Sequence, residues 1–400
     1  MDFSLTSKLE ALRLNTRSFV HDEILPLECD RTNFDKYENI RLDVLEKLRR
    51  KVKNVGLWAP QAMVERGGLG LSHQECAVIY EEANYSIFGP AAFNCAAPDD
   101  GNISVISKIG TKSQQDWWLQ PLIDGQVRSA FAMTEPAPGS GSDPAGMMLT
   151  RAEKKGDNWI VSGRKWFITG AGEAKHFILI ARTSDDPRKG LSAFLYHADQ
   201  PGHYIERRIP IMGPEEHGGH CEIVFNELEI PNENLLLNVG DGLKVTQIRL
   251  GTARLTHCMR WLGLAKRSMD IAAEYIAGRT GFGVRLADRE SVQIKMGELA
   301  HDIQIGRLLV MHAAWKLDKG DFARKEISSA KIHVANTLHK SVDMAIQFNG
   351  ARGYSKDTVL EWIYRYARQA RLVDGADEVH KMILAKTFEK SGLDFWNWDT

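Results

Sequence analysis

The sequence predicts an α+β protein of 400 residues, with helices at both ends and a β-domain in the middle. Three observations predict this order. Apolar residues recur at helical spacing near both ends, short β-branched and aromatic runs fill the middle, and no helical pattern separates those runs. Parallel strands need a crossover, usually a helix, so an antiparallel barrel or sandwich is expected.

The composition narrows the class of protein. Lys+Arg number 51 and Asp+Glu 52, so no basic excess indicates a nucleic-acid partner. The five cysteines show no C-x-x-C spacing, which indicates reduced thiols and no zinc site. The first residues carry acids throughout, unlike a transit peptide, and no apolar run approaches the ~18 residues that span a bilayer. We expect a cytoplasmic protein without an integral membrane segment.

The first segment, 1–128, is predicted to be a helical domain. Residues 7–26 and 37–57 place apolar side chains three and four positions apart, as on a helix with one buried face. Pro26 and Gly56 are expected to end these helices. The glycine-rich stretch 65–72 is expected to be a loop, and another helix is predicted after it.

The second segment, 129–240, is predicted to be the β-domain. Runs such as 176–183, 191–198 and 221–230 are rich in β-branched and aromatic residues, and turn clusters separate them. The glycines of GGLGLS and GAGEAKH do not join a strand to a helix, so they predict no dinucleotide fingerprint. EEHGGHC lacks a second pair of ligands, and we expect no metal there.

The third segment, 241–400, is predicted to be helical again, in long elements. Residues 291–317 repeat apolar side chains at mostly helical spacing, and 327–350 form another long helix closed by Asn349-Gly350. The histidines His257, His301 and His333 fall on these helices, and we expect them to have surface or packing roles.

Two stretches are candidates for chemistry. FAMTEPAPGSGSDPAGM (131–147) combines backbone N–H groups and hydroxyls in one loop, which suits an oxygen-rich, anionic or heteroaromatic ligand. LVDGADEVH (372–380) sets Asp374 between an apolar run and a glycine, just before a predicted helix. That carboxylate could cap the helix or act as a base.

Five ordered stretches resemble the acyl-CoA dehydrogenase family over essentially the whole chain. The loop 131–147 resembles the family's Thr-Glu-Pro and Gly-Ser-Asp signature beside FAD. The other four stretches are KWFITG (165–170), ARLTHCMRWLGLA (253–265), GRTGFG (278–283) and QFNGARGY (347–354). AFNCAAPDDGN and RLVDGADEVH look more particularly like the subgroup that includes the human members ten and eleven.

The resemblance implies a fold, a cofactor and a reaction. The expected fold has an N-terminal α-helical domain, a middle antiparallel β-barrel and a C-terminal four-helix bundle. FAD is expected between the β-domain and the bundle, in a homodimer or homotetramer. The implied reaction is α,β-dehydrogenation of an acyl-CoA to the trans-2-enoyl-CoA, with hydride transfer to flavin N5. An electron-transfer flavoprotein or related acceptor would then receive the electrons.

The resemblance also assigns the catalytic base. Asp374-Gly375 stands where the family has its catalytic Glu-Gly, and the alternative position for the base is occupied by Ala253. Burial beside flavin and acyl chain is expected to raise the Asp374 pKa. The role of helix cap suits Asp377 better. Because aspartate is one methylene shorter than glutamate, we expect a backbone shift, a different substrate position or slow turnover.

Further residues carry over from the family motifs. Arg254 and either Ser140 or Ser142 are expected at the substrate. The residues expected at the cofactor are Phe131, Met133, Thr134, Phe167, Ile168, Thr169, Arg279, Phe282, Gln347, Gly350, Ala376 and Glu378. Arg279, Phe282, Gln347 and Gly350 are expected to reach the FAD of a neighbouring subunit. Glu290, Ala351, Ala376 and Glu378 depart from the usual residues, mainly at the adenine end.

Two other functions stay open. The same scaffold supports flavin oxidases and enzymes that act on nitroalkanes, and an aspartate base is compatible with both. The substituted positions 290, 351, 376 and 378 also allow a non-catalytic protein that binds acyl-CoA or FAD.

Overall fold

The computed structural model describes residues 4–144 and 146–397. Nine helices of ten or more residues are α1 (Ser7–Phe19), α2 (Leu42–Asn54), α3 (His73–Ala83), α4 (Asp99–Ile109), α5 (Gly242–Gly278), α6 (Glu290–Asp318), α7 (Arg324–Asn349), α8 (Leu360–Gln369) and α9 (Asp377–Ser391) within these residues. The strands of the middle segment are β1 (Arg128–Ala132), β2 (Arg151–Lys155), β3 (Asn158–Thr169), β4 (Ala174–Arg182), β5 (Leu191–His197), β6 (His203–Arg208), β7 (His220–Pro231) and β8 (Leu235–Leu236). The α–β–α order predicted from periodicity is therefore confirmed.

Local sequence accounts for where α3 begins. Ser72 accepts a hydrogen bond from the Glu75 amide at 3.3 Å, and the Glu75 carboxylate accepts one from the Ser72 amide at 2.9 Å. This reciprocal pair is a capping box, and it satisfies two backbone donors that a helix start leaves unpaired. The loop predicted over 65–72 therefore ends at Ser72, because the side chain of this residue caps the helix.

The sheet runs in the order β6-β7-β3-β2-β4-β5-β8, with β1 paired to β4. Most neighbours are antiparallel, as expected for this segment. The pairings of β1 and of β2 with β4 are parallel, a feature that the sequence pattern did not indicate.

Strand β4 is buried on both faces, which explains its nearly unbroken apolar sequence. Phe177, Leu179 and Ala181 pack inside the β-domain. Ile178 and Ile180 point the other way and join the core formed with the helices. Successive side chains of a strand alternate between its faces, so one strand contributes to both cores.

Helix α5 connects the β-domain to the helical bundle. It packs against α3, α4, α6 and α7, and its buried residues include Ala253, Met259 and Trp261. Its first turns reach the β-domain, while its later turns lie among the bundle helices. Side chains on the early turns of α5 therefore lie where the β-domain meets the helical bundle. Among the helices of the described ranges, none is long and apolar enough to cross a membrane.

Candidate active site

A cavity of about 610 Å³ lies between the β-domain and the C-terminal helices. Its walls come from the end of β1, the end of β3, the start of α5, and the segment that joins α8 to α9. The predicted residues that line it are Phe131, Met133, Thr134, Ser142, Phe167, Ile168, Thr169, Arg254 and Asp374. The volume lies in the range of small-molecule sites, and the walls are mainly apolar with a few polar groups.

The β3 wall is shaped by an irregular end of the strand. The pairing of β3 with β7 shifts register between Lys165 and Ile168, and Phe167 has a φ of 50°. A positive φ is uncommon outside glycine and indicates a locally imposed conformation. The bulge turns the Phe167 ring into the cavity, where it remains 46% exposed. The irregularity thus leaves an aromatic surface available for a ligand.

The loop after β1 is anchored from beneath by a buried ion pair. The Lys165 ammonium donates to the Met133 carbonyl at 2.8 Å and to Glu135 at 3.0 Å. Burial lowers the pKa of Lys165 to about 8, although the Glu135 carboxylate acts in the opposite direction. Glu135 also accepts from the backbone amides of Leu149 and Thr150. The pair therefore holds both ends of the loop against β3.

The two candidate serines of this loop lie differently. Ser142 lines the cavity, whereas Ser140 does not. The Ser140 amide donates to Glu135 at 3.3 Å, which ties this residue to the anchor. Of the two alternatives, the structure places Ser142 where a ligand could be contacted.

Asp374 lies in the connection between α8 and α9, residues 370–376. It lines the cavity, and its side chain is 18% exposed. Its φ is 52°, and the following Gly375 has a φ of 102°. The Arg254 Nε donates to the Asp374 carbonyl at 2.7 Å, which fixes the backbone. The carboxylate lies 3.6 Å from Arg249 Nη1 and 3.4 Å from His257 Nε2. Three residues of α5 thus contact Asp374, two at its carboxylate and one at its backbone carbonyl.

The protein's own groups shift the pKa of Asp374 downward, opposite to the direction expected for it beside flavin and acyl chain. Burial does act to raise it, but the contact with His257 and the charges of Arg249 and Arg254 outweigh burial. The pKa of Asp374 is therefore well below its usual range, because nearby positive charge favours the ionised form. The carboxylate is ionised throughout the neutral range, so it can accept a proton.

His257 is a packing residue only in part, which corrects the expectation for it. Burial lowers the pKa of His257, so the ring is neutral near pH 7. Its side chain is 12% exposed and faces Asp374. Sequence reasoning also missed Arg249. The available signal was spacing. Positions 249 and 257 each lie four residues from Ala253, the alternative position of the base, so the three positions share one face of α5.

Asp377 does not cap the last helix. The N-cap residue of α9 is Ala376, which makes no side-chain cap. Asp377 is the first helical residue, and its buried carboxylate accepts from Arg371 at 2.9 Å and Asn336 at 3.0 Å. Its role is to tie α9 to α7 and to the preceding turn.

The remaining predicted cofactor residues do not line this cavity. Arg279 directly follows α5 as its C-cap residue. Phe282 lies in the turn between two short paired strands, Thr280–Gly281 and Val284–Arg285, and its side chain is fully exposed. Gln347 and Gly350 at the end of α7 and Glu378 on α9 are also exposed, and Ala376 is half-buried. A single chain does not bring these six residues together with the cavity.

The cavity has a basic rim that sequence reasoning did not assign. Arg249, Arg365 and Arg368 line it together with Arg254, and Asp374 is the only acid among the described lining residues. Arg365 is held by Glu361 at 2.6 Å and by Glu38 at 2.5 Å. The site therefore presents positive charge around one carboxylate, which suits a ligand that carries anionic groups.

Family models for three domains match the chain in order. They describe the N-terminal, middle and C-terminal domains of acyl-CoA dehydrogenases and match residues 6–126, 130–228 and 240–388. The Mycobacterium tuberculosis protein named Probable acyl-CoA dehydrogenase FadE2 is 34% identical over 397 residues, with 96% of each chain covered. Acyl-CoA dehydrogenase family member 11 from Homo sapiens is 36% identical over 398 residues. The match covers 96% of this chain but 50% of the human protein, so the chain spans half of that relative's length.

A solved structure shows the same architecture. Butyryl-CoA dehydrogenase from Megasphaera elsdenii superposes with a TM-score of 0.85 at 26% identity, and the match covers 97% of this chain and 100% of that one. The β-domain and the helical bundle are thus a shared arrangement. By sequence and by fold, the chain belongs to the acyl-CoA dehydrogenase family, as a flavin-dependent oxidoreductase that binds FAD.

Proposed function

We propose that the chain catalyses α,β-dehydrogenation of an acyl-CoA thioester to the trans-2-enoyl-CoA, with Asp374 as the base. The observation that carries this proposal is the position of Asp374. Its ionised carboxylate is the one acid among the described residues of the cavity wall, and the walls include the β1 and β3 segments expected to hold the flavin.

The residues present fit the flavin of FAD. The apolar groups of Phe131, Met133 and Ile168 suit a fused aromatic ring, and the bulged Phe167 offers a ring face. Thr134 and Thr169 supply polar groups along the same wall. When bound, FAD supplies the acceptor for a hydride.

The chain's own residues would handle the proton. The Asp374 carboxylate takes the α-proton, the α C–H bond breaks, and its electron pair moves toward the thioester carbonyl and then into the new double bond. FAD, when bound, would accept the β-hydrogen with its electron pair, so that the substrate would lose two electrons in all. The contact with His257 and the charges of Arg249 and Arg254 keep Asp374 ionised but make it a weak base. Substrate that displaces water from the cavity would raise its pKa toward that of the α-carbon.

The low pKa of Asp374 favours one second candidate. A weak base suits a carbon acid stronger than a thioester, and a nitroalkane is such an acid. In that case the reduced cofactor would pass its electrons to O₂ in an oxidase cycle. Rapid reoxidation in air would support this candidate, and slow reoxidation would support the dehydrogenase with a separate electron acceptor.

Anaerobic mixing with a panel of acyl-CoAs tests the main proposal. We expect one chain class to bleach the flavin absorbance and to yield the trans-2-enoyl-CoA by mass spectrometry. Bleaching by nitroalkanes and by no acyl-CoA would replace the proposal by the second candidate. If neither acyl-CoAs nor nitroalkanes bleach the bound flavin and acyl-CoA still binds tightly, the chain would be a non-catalytic acyl-CoA binding protein.

We also propose that the FAD site is completed by a second copy of the chain, in a homodimer or homotetramer. Arg279, Phe282, Gln347 and Gly350 are exposed and outside the cavity, as residues that serve a neighbour's cofactor would be. A Phe282→Ala variant that retains flavin at parent occupancy in dilute solution would count against this assignment. An electron-transfer flavoprotein or related acceptor and a cytoplasmic location stay predictions from the sequence.

A further inference from the structure

His257 meets the oxygen of Asp374 that other groups leave unpaired. Arg249 lies 3.6 Å from Oδ1, while His257 Nε2 lies 3.4 Å from Oδ2. Oδ2 is buried, and no donor of the described residues makes a well-formed hydrogen bond to it. A buried acceptor without a donor is costly, so the nearest N–H group has a strong electrostatic reason to face it.

The tautomer of His257 follows from its other nitrogen. The Arg260 Nη2 lies 3.2 Å from His257 Nδ1. A guanidinium carries only donors and stays protonated, so Nδ1 must be the acceptor of this bond. A neutral imidazole that accepts at Nδ1 carries its proton at Nε2. The proton of His257 is therefore on Nε2, the ring nitrogen that lies 3.4 Å from Asp374 Oδ2.

Arg260 cannot turn away from this arrangement. It is buried, and it donates to the Asp100 carboxylate at 2.5 Å and to the Cys95 carbonyl at 2.8 Å. Asp100 also accepts from the Thr256 hydroxyl at 2.6 Å. The His257 ring stacks on buried Trp261, with ring centroids 5.1 Å apart and planes 19° apart. Both the proton position and the ring plane of His257 are thus set by fixed neighbours.

The other titratable groups around Asp374 and His257 come from four helices. From α5 they are Arg249, Arg254 and Arg260; from α7, Lys331; from α9, Asp377 and His380; and Asp100 faces His257 from α4. Burial lowers the pKa of His380 to about 4, so this ring is neutral near pH 7. Lys331 donates to the carbonyls of Ala370 and Gly375. Of these groups and His257, only Arg249 and His257 have a nitrogen within 4.0 Å of the Asp374 carboxylate, and His257 is the one that faces Oδ2.

We propose that His257 is a positioning residue, which donates its Nε2–H to Asp374 and keeps that carboxylate ionised and aimed into the cavity. Protonation of His257 at Nδ1 would place a proton against Arg260, so His257 is not a store for the substrate proton. That proton stays on Asp374 until product leaves. The catalytic consequence rests on the proposed function, whereas the Asp374–His257 contact itself does not.

The test measures Asp374 without turnover. The infrared band of the protonated Asp374 carboxyl is followed with pH in the ligand-free holoprotein and is identified by subtracting the Asp374→Asn spectrum. His257→Leu removes the donor, whereas His257→Gln keeps an N–H near the place of Nε2. We expect the band to appear in His257→Leu at a pH about one unit or more above the parent, and in His257→Gln near the parent. His301→Leu, on an exposed face of α6, is the matched control.

Equal behaviour of His257→Leu and the parent, or an equal rise in the leucine and glutamine variants, would overturn the proposal. A second measurement uses the parent protein and needs no variant to fold. Nitrogen NMR of histidine-labelled holoprotein should show His257 protonated at Nε2, and a proton at Nδ1 would overturn the assignment. Turnover of Asp374→Asn tests the base separately, so failure of the proposed function and failure of this inference have different signatures.

Discussion

Single residues decide the chemistry of the cavity, and Asp374 shows how. Burial and three neighbours on α5 act on its pKa in opposite directions, and the neighbours prevail. Its left-handed backbone is held by the bond from Arg254 to its carbonyl and is followed by Gly375. A Cβ at Gly375 would lie 3.2 Å from His380 Nε2, and a φ of 102° disfavours any side chain there. The pair Asp374-Gly375 is thus required by backbone shape as well as by chemistry.

Asp374→Asn is the sharpest residue-scale test of the proposed base. Asparagine tolerates a positive φ and has the same shape, so the backbone should be unchanged. We expect turnover of the best acyl-CoA to fall by about 100- to 10,000-fold, since general bases contribute on that order. Flavin content and acyl-CoA affinity, measured by absorbance and calorimetry, should stay near those of the parent. Turnover within a few fold of the parent would reject Asp374 as the base.

At the scale of elements, one lysine of α7 holds the segment that carries Asp374. Lys331 is buried, and its ammonium donates to the carbonyls of Ala370 at 2.7 Å and Gly375 at 3.2 Å. These bonds join α7 to both ends of the α8–α9 connection. Burial lowers the pKa of Lys331, which the acids Asp374 and Asp377 partly offset.

Lys331→Met should therefore destabilise the protein. The change leaves the buried Ala370 carbonyl and the half-buried Gly375 carbonyl without this donor, while methionine keeps most of the apolar stem of lysine. We expect a loss of about 1–3 kcal/mol in the free energy of unfolding. Urea denaturation measures it. The matched control is Lys340→Met, which changes another lysine of α7. It removes a largely exposed ion pair with Asp302 of α6 and should cost less than about 1 kcal/mol. Equal losses in the two variants would contradict the role given to Lys331.

Strand β6 contributes a pH-dependent element to the β-domain. His203 packs against Phe177, Tyr196 and Phe225, and burial lowers its pKa from 6.5 to about 4. Between these two values the unfolded chain binds the proton and the folded chain does not. This residue therefore lowers the free energy of unfolding as the pH falls from 6.5 to 4, and it adds nothing further below that range.

His203→Gln should flatten this part of the stability curve. We expect the free energy of unfolding of the variant to fall less than that of the parent between pH 6.5 and pH 4, as measured by denaturant titrations at several pH values. The same substitution at exposed His301 is the control for the loss of a histidine. Parallel curves for the parent and His203→Gln would show that another group carries this dependence.

At the scale of the whole molecule, a network of charges ties the N-terminal helices to the bundle. Glu82 on α3 is buried and pairs with Arg13 and Arg17 of α1 and with Lys266 of α5. The adjacent Glu81 pairs with Lys266 and with Arg307 of α6. Four helices from both ends of the chain therefore share one cluster of ion pairs.

Glu82→Gln should weaken this attachment. The change leaves three cations around an uncharged side chain that is nearly buried, and we expect a loss of about 1–3 kcal/mol in the free energy of unfolding. Glu10→Gln removes the exposed partner of the same Arg13 and should cost clearly less than Glu82→Gln, because solvent screens exposed ion pairs. Denaturant unfolding of the two variants checks this, and a larger effect for Glu10→Gln would refute the importance of Glu82.

Much of the architecture could be predicted from sequence because its signals are local. The capping box at Ser72 and the long apolar repeats of α6 and α7 are readable within a few turns of chain. The parallel pairing of β1 with β4 was not readable, since it joins strands that no pattern connects. The domain limits at 128/129 and 240/241 stay predictions.

The sequence by itself determined the α–β–α order, the family and the position of Asp374 at the cavity wall, because these depend on contiguous motifs. Only the tertiary structure decided the environment of that carboxylate. Arg254 and Asp374 are 120 positions apart, and the same fold brings Arg249 and His257 to the carboxylate. A pKa depends on charges and donors within a few ångströms, and such distances exist only once distant segments have packed together.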